Sequence, residues 1–371
     1  MSSIALMTLP LHGHVNPMLG LAAELVGRGH DVTFATGTDF AAAVERTGAR
    51  AVVYQSVLRS SRTGVGCWVS GASAERDIVD VFAAERDAAL AALGPQYRHA
   101  VPEIAVFDTV TAFAPILTSR WGVPLVQFSP THVLPPEQPS HGATPAAADA
   151  SSPCIVALPR SFQYPDEGVG HGHVFVGPLD WERDGDADWQ PSNAARTTLV
   201  SLGTTFNDGT DLMRRVARVI SEVKPGTEVV VALGRPITRE LGAGWPESVR
   251  LESWVPQQRV LREVDLFVTA GGTGSVLEAI RASIPMVVLP QAVEQFVNAR
   301  QVRHLGLGTA LTPDAVDDDA LAAAVNLALS LPGFGEAARQ LNDEMASAGG
   351  AATAAAVVEG SLLQLTGRLA P

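Results

Sequence analysis

Short runs of apolar residues, separated by helix-length amphipathic stretches, recur along the whole chain. Residues 4–9, 31–35 and 51–54 read as strands, with helices at 16–28 and 40–47 between them. These runs are mainly apolar, as suits parallel strands buried in an α/β sheet. A strand–helix–strand–helix–strand order opens a doubly wound sheet. Asn16 and Pro17 read as the N-cap and first position of the first helix. Helical periodicity returns over 74–93, and strands at 104–107 and 125–128 flank a helix at 112–121. Residues 135–152 carry Pro, Ala, Ser and His with no period and read as a loop. A strand at 174–176 follows.

A second series of the same kind starts near residue 198. Its strands are expected at 198–201, 228–232, 249–252, 265–269, 285–289 and 309–311. Helices are expected at 210–223, 258–264, from the glycine-rich turn to 282, and at 315–330, 334–347 and 351–365. The stretch 179–196 between the two series is acidic and turn-rich, as linkers are. The expected organisation is therefore a Rossmann-like domain over 1–178, a linker over 179–196, a second Rossmann-like domain over 197–350, and a C-terminal helix over 351–371 able to pack back on the first domain. The fold class is α/β, two doubly wound domains facing a cleft.

Composition narrows the function. The chain has 371 residues, 46% hydrophobic and 18% charged, with a net charge of −13. That charge argues against nucleic acid, whose phosphates require a basic face. Cys67 and Cys154 are the only cysteines. Two cysteines this far apart make neither a disulfide framework nor a metal-ligand spacing, and they read as small buried apolar residues. The N-terminus enters a strand at once, and no apolar run reaches the ~18 residues of a membrane span. A cytoplasmic protein without membrane insertion is expected.

Candidate chemistry lies where strands end. The block DLFVTAGGTGSVLEAIRASIPMVVLPQAVEQFVN, 265–298, reads as strand, glycine-rich turn, helix, strand and polar edge. Gly271, Gly272, Thr273, Gly274 and Ser275 form the turn and open the helix. Backbone N–H groups at such a helix start suit a phosphate or diphosphate. Glu294, Gln295 and Asn298 follow the second strand, at the edge where parallel sheets bind ligands. The first strand is followed by LHGHVNP in place of a dinucleotide-binding G-x-G-x-x-G. An isolated loop histidine is more often solvated or capping. At a strand end facing a cleft, His14 suits a general base. Asp108 closes the 104–107 strand and can orient that imidazole if the two strands are neighbours. No G-x-S-x-G elbow occurs, which argues against acyl-enzyme chemistry.

LHGHVNPMLGLAAELVGRGHDVTFA (11–35), WVPQQRVL (254–261) and the 265–298 block together resemble the macrolide-type, nucleotide-sugar-dependent glycosyltransferases of actinomycetes, of GT-B fold. The resemblance runs nearly end to end. It implies that His14 deprotonates the acceptor hydroxyl and that Asp108 pairs with it. Trp254 and Gln257 would hold the nucleotide base and Glu278 the ribose hydroxyls. Ser201 and Thr204 would lie near the diphosphate, and Glu294 and Gln295 would bind the sugar. The implied reaction is an inverting, metal-independent transfer from a UDP- or dTDP-sugar to a hydroxyl of a small hydrophobic natural product. The nucleotide sugar is a co-substrate, and no cofactor is implied. No Asp-x-Asp or His/Asp cluster stands beside the glycine turn to hold a cation at a diphosphate. Two features depart from the family. Ala270 stands where a histidine usually donates to the diphosphate, and the 135–160 region is short for an acceptor wall. They leave open a catalytically weak, glycosyltransferase-like auxiliary or binding protein, and a homodimer or an auxiliary protein among the partners.

Overall fold

The structure is a computed structural model that describes residues 1–58, 72–133, 152–166, 169–181, 189–203, 209–291 and 293–368. Cys67, Thr204 and all but the last residue of the expected 135–152 loop lie outside the described residues. The chain divides into two compact units. Of the described residues, one holds those up to Trp181 and from Glu344 onward, the other those from Trp189 to Asp343.

In the first unit the elements are β1 (Ser3–Met7), α1 (His12–Gly27), β2 (Asp31–Gly37), α2 (Ala41–Arg46), β3 (Arg50–Tyr54), α3 (Ala72–Gln96), β4 (Ile104–Asp108), α4 (Phe113–Trp121), β5 (Leu125–Ser129), β6 (Cys154–Val156) and β7 (His173–Phe175). The strands form one sheet in the order β3-β2-β1-β4-β5-β6-β7, every pair parallel. Successive strand residues point to opposite faces. Ile4, Leu6, Ile104 and Val106 therefore pack in one apolar layer with α1, and Ala5, Met7, Ala105 and Phe107 in the other with α3 and α4. The chain winds from β1 out to β3, then resumes on the other side of β1 with β4. The crevice between β1 and β4 is the topological switch point.

The second unit repeats the plan. It contains β8 (Arg196–Ser201), α5 (Thr210–Val223), β9 (Thr227–Ala232), β10 (Val249–Glu252), α6 (Gln257–Val260), β11 (Leu266–Thr269), α7 (Thr273–Ala282), β12 (Met286–Val288), α8 (Val293–His304), β13 (Gly308–Ala310), α9 (Asp318–Leu329) and most of α10 (Phe334–Ser347). Its parallel sheet runs β10-β9-β8-β11-β12-β13, with the switch point between β8 and β11.

The chain returns to the first unit between Asp343 and Glu344, within α10, where the sequence pattern had set the end of the second domain at residue 350. The contacts explain the earlier return. Glu344 accepts hydrogen bonds from the backbone N–H and the hydroxyl of Ser161, and Gly350 N–H donates to the Val176 carbonyl. The terminal helix α11 (Gly350–Arg368) then buries Ala354, Ala355 and Val358 in the layer beside α1. Glu359 accepts from Arg28 at 2.7 Å and from His30 Nε2 at 3.0 Å. Phe334–Gln364 is long and apolar enough to span a membrane by composition alone. Positive φ at Gly349 and Gly350 divides it into two helices.

Local differences from the sequence pattern have local causes. Helix α1 begins at His12, four residues before Asn16. Leu11 is extended, and its carbonyl accepts the N–H groups of His14 and Val15, so Leu11 and not Asn16 is the N-cap. Pro17 lies inside the second turn, where its missing N–H leaves the Gly13 carbonyl without its usual helical donor. Strand β6 is only three residues long and follows an aperiodic stretch. Helix α8 has almost no apolar stripe, so its periodicity is silent.

Candidate active site

The turn after β1 and the end of β4 meet because β1 and β4 pair in register, Met7 opposite Phe107. Asp108 is the last residue of β4 and is fully buried. Its Oδ2 is hydrogen-bonded to His14 Nδ1, and its Oδ1 accepts from the Val110 backbone N–H at 3.1 Å. A carboxylate only accepts, so Nδ1 carries the hydrogen and Nε2 is the basic nitrogen of the neutral ring. The His14 side chain keeps 23% of its surface exposed. The pair is thus a buried orienting carboxylate behind a partly accessible imidazole. His12, the other histidine of the turn, packs edge-on against Phe40 with ring centroids 5.0 Å apart. Cys154 on β6 is buried, and its thiol is pushed up to about 12 by burial and, less, by the charge of Asp108.

At the second switch point Thr269, the end of β11, stands in register with Ser201 on β8 and Val288 on β12. Gly271 has φ +84°, and a Cβ there would lie 2.5 Å from Val288 Cγ1. Only glycine fits, by conformation and by space. Gly272 and Gly274 differ. Nothing lies within 4 Å of a Cβ at either, so the space before them is open. The first N–H donating within α7 is that of Val276, to the Gly272 carbonyl at 3.0 Å. The N–H groups of the first turn, from Thr273 to Ser275, precede it and point out of the helix start.

The turn is held from behind by Asn298 on α8. It is fully buried, and its Nδ2 donates to the Gly271 carbonyl at 2.8 Å and to Thr273 Oγ1 at 3.1 Å. The sequence pattern placed Asn298 in the polar cluster without a role. Its signal was its spacing, one helical turn after Gln295.

Gln257, at the start of α6, joins two residues of α7. Its Nε2 donates to Ser275 Oγ at 3.1 Å and to Glu278 Oε2 at 2.7 Å. Trp254 is 56% exposed, so it lies at the surface and is not a core residue. Gln295 is buried, and its Oε1 accepts from the Gln291 N–H at 2.8 Å, while Glu294 is half-buried. The Gln295 carbonyl lies 3.6 Å from the Cβ position of Gly271, so this residue flanks the turn. The site residues expected from the sequence therefore gather at two strand edges, one in each unit, apart from Thr204. Ala270 packs in the apolar cluster with Val200, Leu202 and Val268 and is almost fully buried. A cavity of about 330 Å³ lined by Leu212, Arg215, Pro290, Gln291 and Val316 adjoins the β12 end but includes none of Trp254, Gln257 and Glu278. Among the described residues no cluster of three or more His, Cys, Asp or Glu side chains is arranged to hold a metal ion.

Comparison with known proteins gives the family. Residues 215–359 match the C-terminal domain family described as erythromycin biosynthesis protein CIII-like. The chain is 32% identical to the oleandomycin glycosyltransferase of Streptomyces antibioticus, over 97% of this chain and 90% of that protein. It is 30% identical to an NDP-glycosyltransferase of Bacillus licheniformis, over 97% of each. The crystal structure of the kitacinnamycin glycosyltransferase superposes with a TM-score of 0.81 at 31% identity, over 96% of this chain and 98% of that one. Two doubly wound units, a histidine–aspartate pair at one switch point and a glycine turn at the other thus come with relatedness over nearly the whole length, and the chain belongs to the macrolide-type natural-product glycosyltransferases of GT-B fold, enzymes that use nucleotide sugars.

Proposed function

We propose that this enzyme transfers a sugar from a UDP- or dTDP-sugar to a hydroxyl of a small hydrophobic natural product, with inversion and without a metal. The observation that carries the reading is the bond between His14 Nδ1 and the buried Asp108 at the β1/β4 switch point. That bond directs the basic Nε2 toward substrate. Nε2 takes the acceptor hydroxyl proton as the acceptor oxygen attacks the anomeric carbon from the face opposite the diphosphate. The bond from the anomeric carbon to the diphosphate oxygen breaks, and the nucleoside diphosphate leaves with the electron pair. Asp108 holds the ring and stabilises the imidazolium that forms.

The leaving group is the other half of the problem. Trp254 offers an exposed face on which a base stacks. Gln257 orients the Glu278 carboxylate, which suits vicinal ribose hydroxyls. Negative charge developing on the diphosphate meets the open start of α7 and the hydroxyls of Thr273 and Ser275, which must act without the imidazole that Ala270 lacks. Thr204 would add a hydroxyl near the diphosphate. Glu294 and Gln295, beside the turn, would receive the sugar hydroxyls. The names of the relatives support the classes of both substrates: one is an NDP-glycosyltransferase, another acts in oleandomycin glycosylation.

A screen of UDP- and dTDP-sugars against a panel of hydroxylated aglycones tests this. Expected are a thermal shift with UDP or dTDP, release of nucleoside diphosphate and a glycoside of inverted anomeric configuration, all unchanged by EDTA. No nucleotide binding and no glycoside from any pair would overturn the reading. Retained configuration would overturn the displacement.

A further inference from the structure

The first unit contains a second buried carboxylate, outside the histidine pair. Glu85 on α3 has no exposed surface, and each of its oxygens accepts two hydrogen bonds. Oε1 accepts from the Tyr54 hydroxyl at 2.6 Å and the Ser56 hydroxyl at 2.8 Å. Oε2 accepts from the backbone N–H groups of Val57 at 2.8 Å and Leu58 at 3.1 Å. All four donors belong to the segment 54–58, which leaves the carboxyl end of β3. A carboxylate accepts from all four donors. A glutamine can accept from the two backbone N–H groups only if the Tyr54 and Ser56 hydroxyls turn to accept from its NH₂, which gives up both of their bonds to position 85 as donors.

This clamped segment borders the edge that carries His14. A Cβ on Gly37, the end of β2, would stand 2.6 Å from Pro10 Cβ and 3.5 Å from Ser56 Cβ. The strand ends of β1, β2 and β3 therefore meet at Gly37, and Pro10 precedes His14 by four residues. Leu58 is buried in the layer with Leu9 and Tyr54, whereas its neighbour Val57 is 47% exposed. One residue anchors the segment, and the next turns an apolar side chain outward at the carboxyl edge. Val57 has its backbone fixed by Glu85 and so presents that surface at little further cost in entropy.

We infer that Glu85 is a positioning residue for the acceptor, holding 54–58 so that Val57 forms part of the apolar surface against which a hydrophobic aglycone lies. The inference rests on the proposed role of His14 as base for the acceptor hydroxyl, which puts the acceptor at the first unit. It goes further in naming a carboxylate that acts on acceptor affinity and not on proton transfer.

The test uses the full-length protein, UDP-glucose as donor and 4-methylumbelliferone as the acceptor probe. Glu85→Gln should raise the acceptor KM about tenfold, with kcat changed less than about threefold and the UDP-glucose KM unchanged. Amide hydrogen exchange at Val57 and Leu58 should accelerate in the same variant. Val57→Ser should raise the acceptor KM while exchange at Val57 and Leu58 stays slow, which separates the presented surface from the clamp. Tyr54→Phe removes one donor and leaves three, and it should move the same KM in the same direction by less. If Glu85→Gln does not fold, these two variants decide. An unchanged acceptor KM in Val57→Ser, or a loss spread equally over both substrates and kcat in Glu85→Gln, would overturn the inference. Binding of 4-methylumbelliferone followed by its fluorescence reads the same ratios without turnover, so a failure of the transfer reaction is distinguishable from a failure of this assignment.

Discussion

The two switch points share one topology and differ in chemistry. Between β1 and β4 the chain places side chains, a histidine bonded to a buried aspartate. Between β8 and β11 it places backbone, a glycine turn locked by Asn298 and opening into α7. A proton transfer needs a titratable group held in one tautomer, which a buried carboxylate supplies. A diphosphate needs several donors at close range, which an uncrowded helix start supplies. On the proposed reading, one fold serves both halves of a group transfer, through the turn after β1 in the first unit and the turn after β11 in the second.

The largest break in this comparison is expected from His14→Ala. Transfer should fall about 10²–10⁴-fold, the usual range for a general base, while calorimetry should show UDP affinity unchanged. Near-normal turnover would remove the proton-transfer role from the first switch point. Asp108→Asn should slow transfer less than the loss of His14. The imidazole then loses its charged orienter, while the amide oxygen still accepts from Val110 N–H. A kcat loss larger than that of His14→Ala would show that the aspartate does more than orient.

In the second unit the effects should appear in nucleotide affinity first. Trp254→Ala should weaken UDP or dTDP binding by about 1–3 kcal/mol, the scale of a lost stacking platform. Its melting temperature should stay near that of the parent, because the residue is more than half exposed. A large fall in stability with unchanged affinity would return Trp254 to a structural role. Asn298→Ala sharpens the comparison further. It removes the Asn298 donor from the buried Gly271 carbonyl and from Thr273 Oγ1, at a cost of about 1–3 kcal/mol of stability. It should also weaken nucleotide binding while the His14–Asp108 pair is intact. Denaturant unfolding and calorimetry on one preparation measure both.

Much of this was legible in the chain. Mainly apolar runs marked the central strands of both sheets, since strands covered on both faces need apolar residues on both. Val249–Glu252, Thr273–Ala282 and Phe334–Ser347 appear where the pattern set them. The start of α1 was misplaced because Asn16-Pro17 has the composition of a helix start, yet the extended Leu11 already caps the preceding turn. Helix α8 was hidden because it packs through polar side chains such as Gln295, Asn298 and Gln301, which carry no hydrophobic period.

The sequence by itself determined two α/β series, a glycine turn before a helix, a strand-end histidine and a strand-end aspartate. It did so because local periodicity and turn chemistry are properties of neighbouring residues. It could not determine that β1 lies beside β4, because strand order is set by long-range packing. That adjacency alone joins His14 to Asp108 across 94 residues. The same holds for Gln257 with Glu278, for Asn298 behind Gly271, and for Glu85 with the end of β3. In each case a buried or part-buried polar group finds its partner on another element, because burial without one is costly.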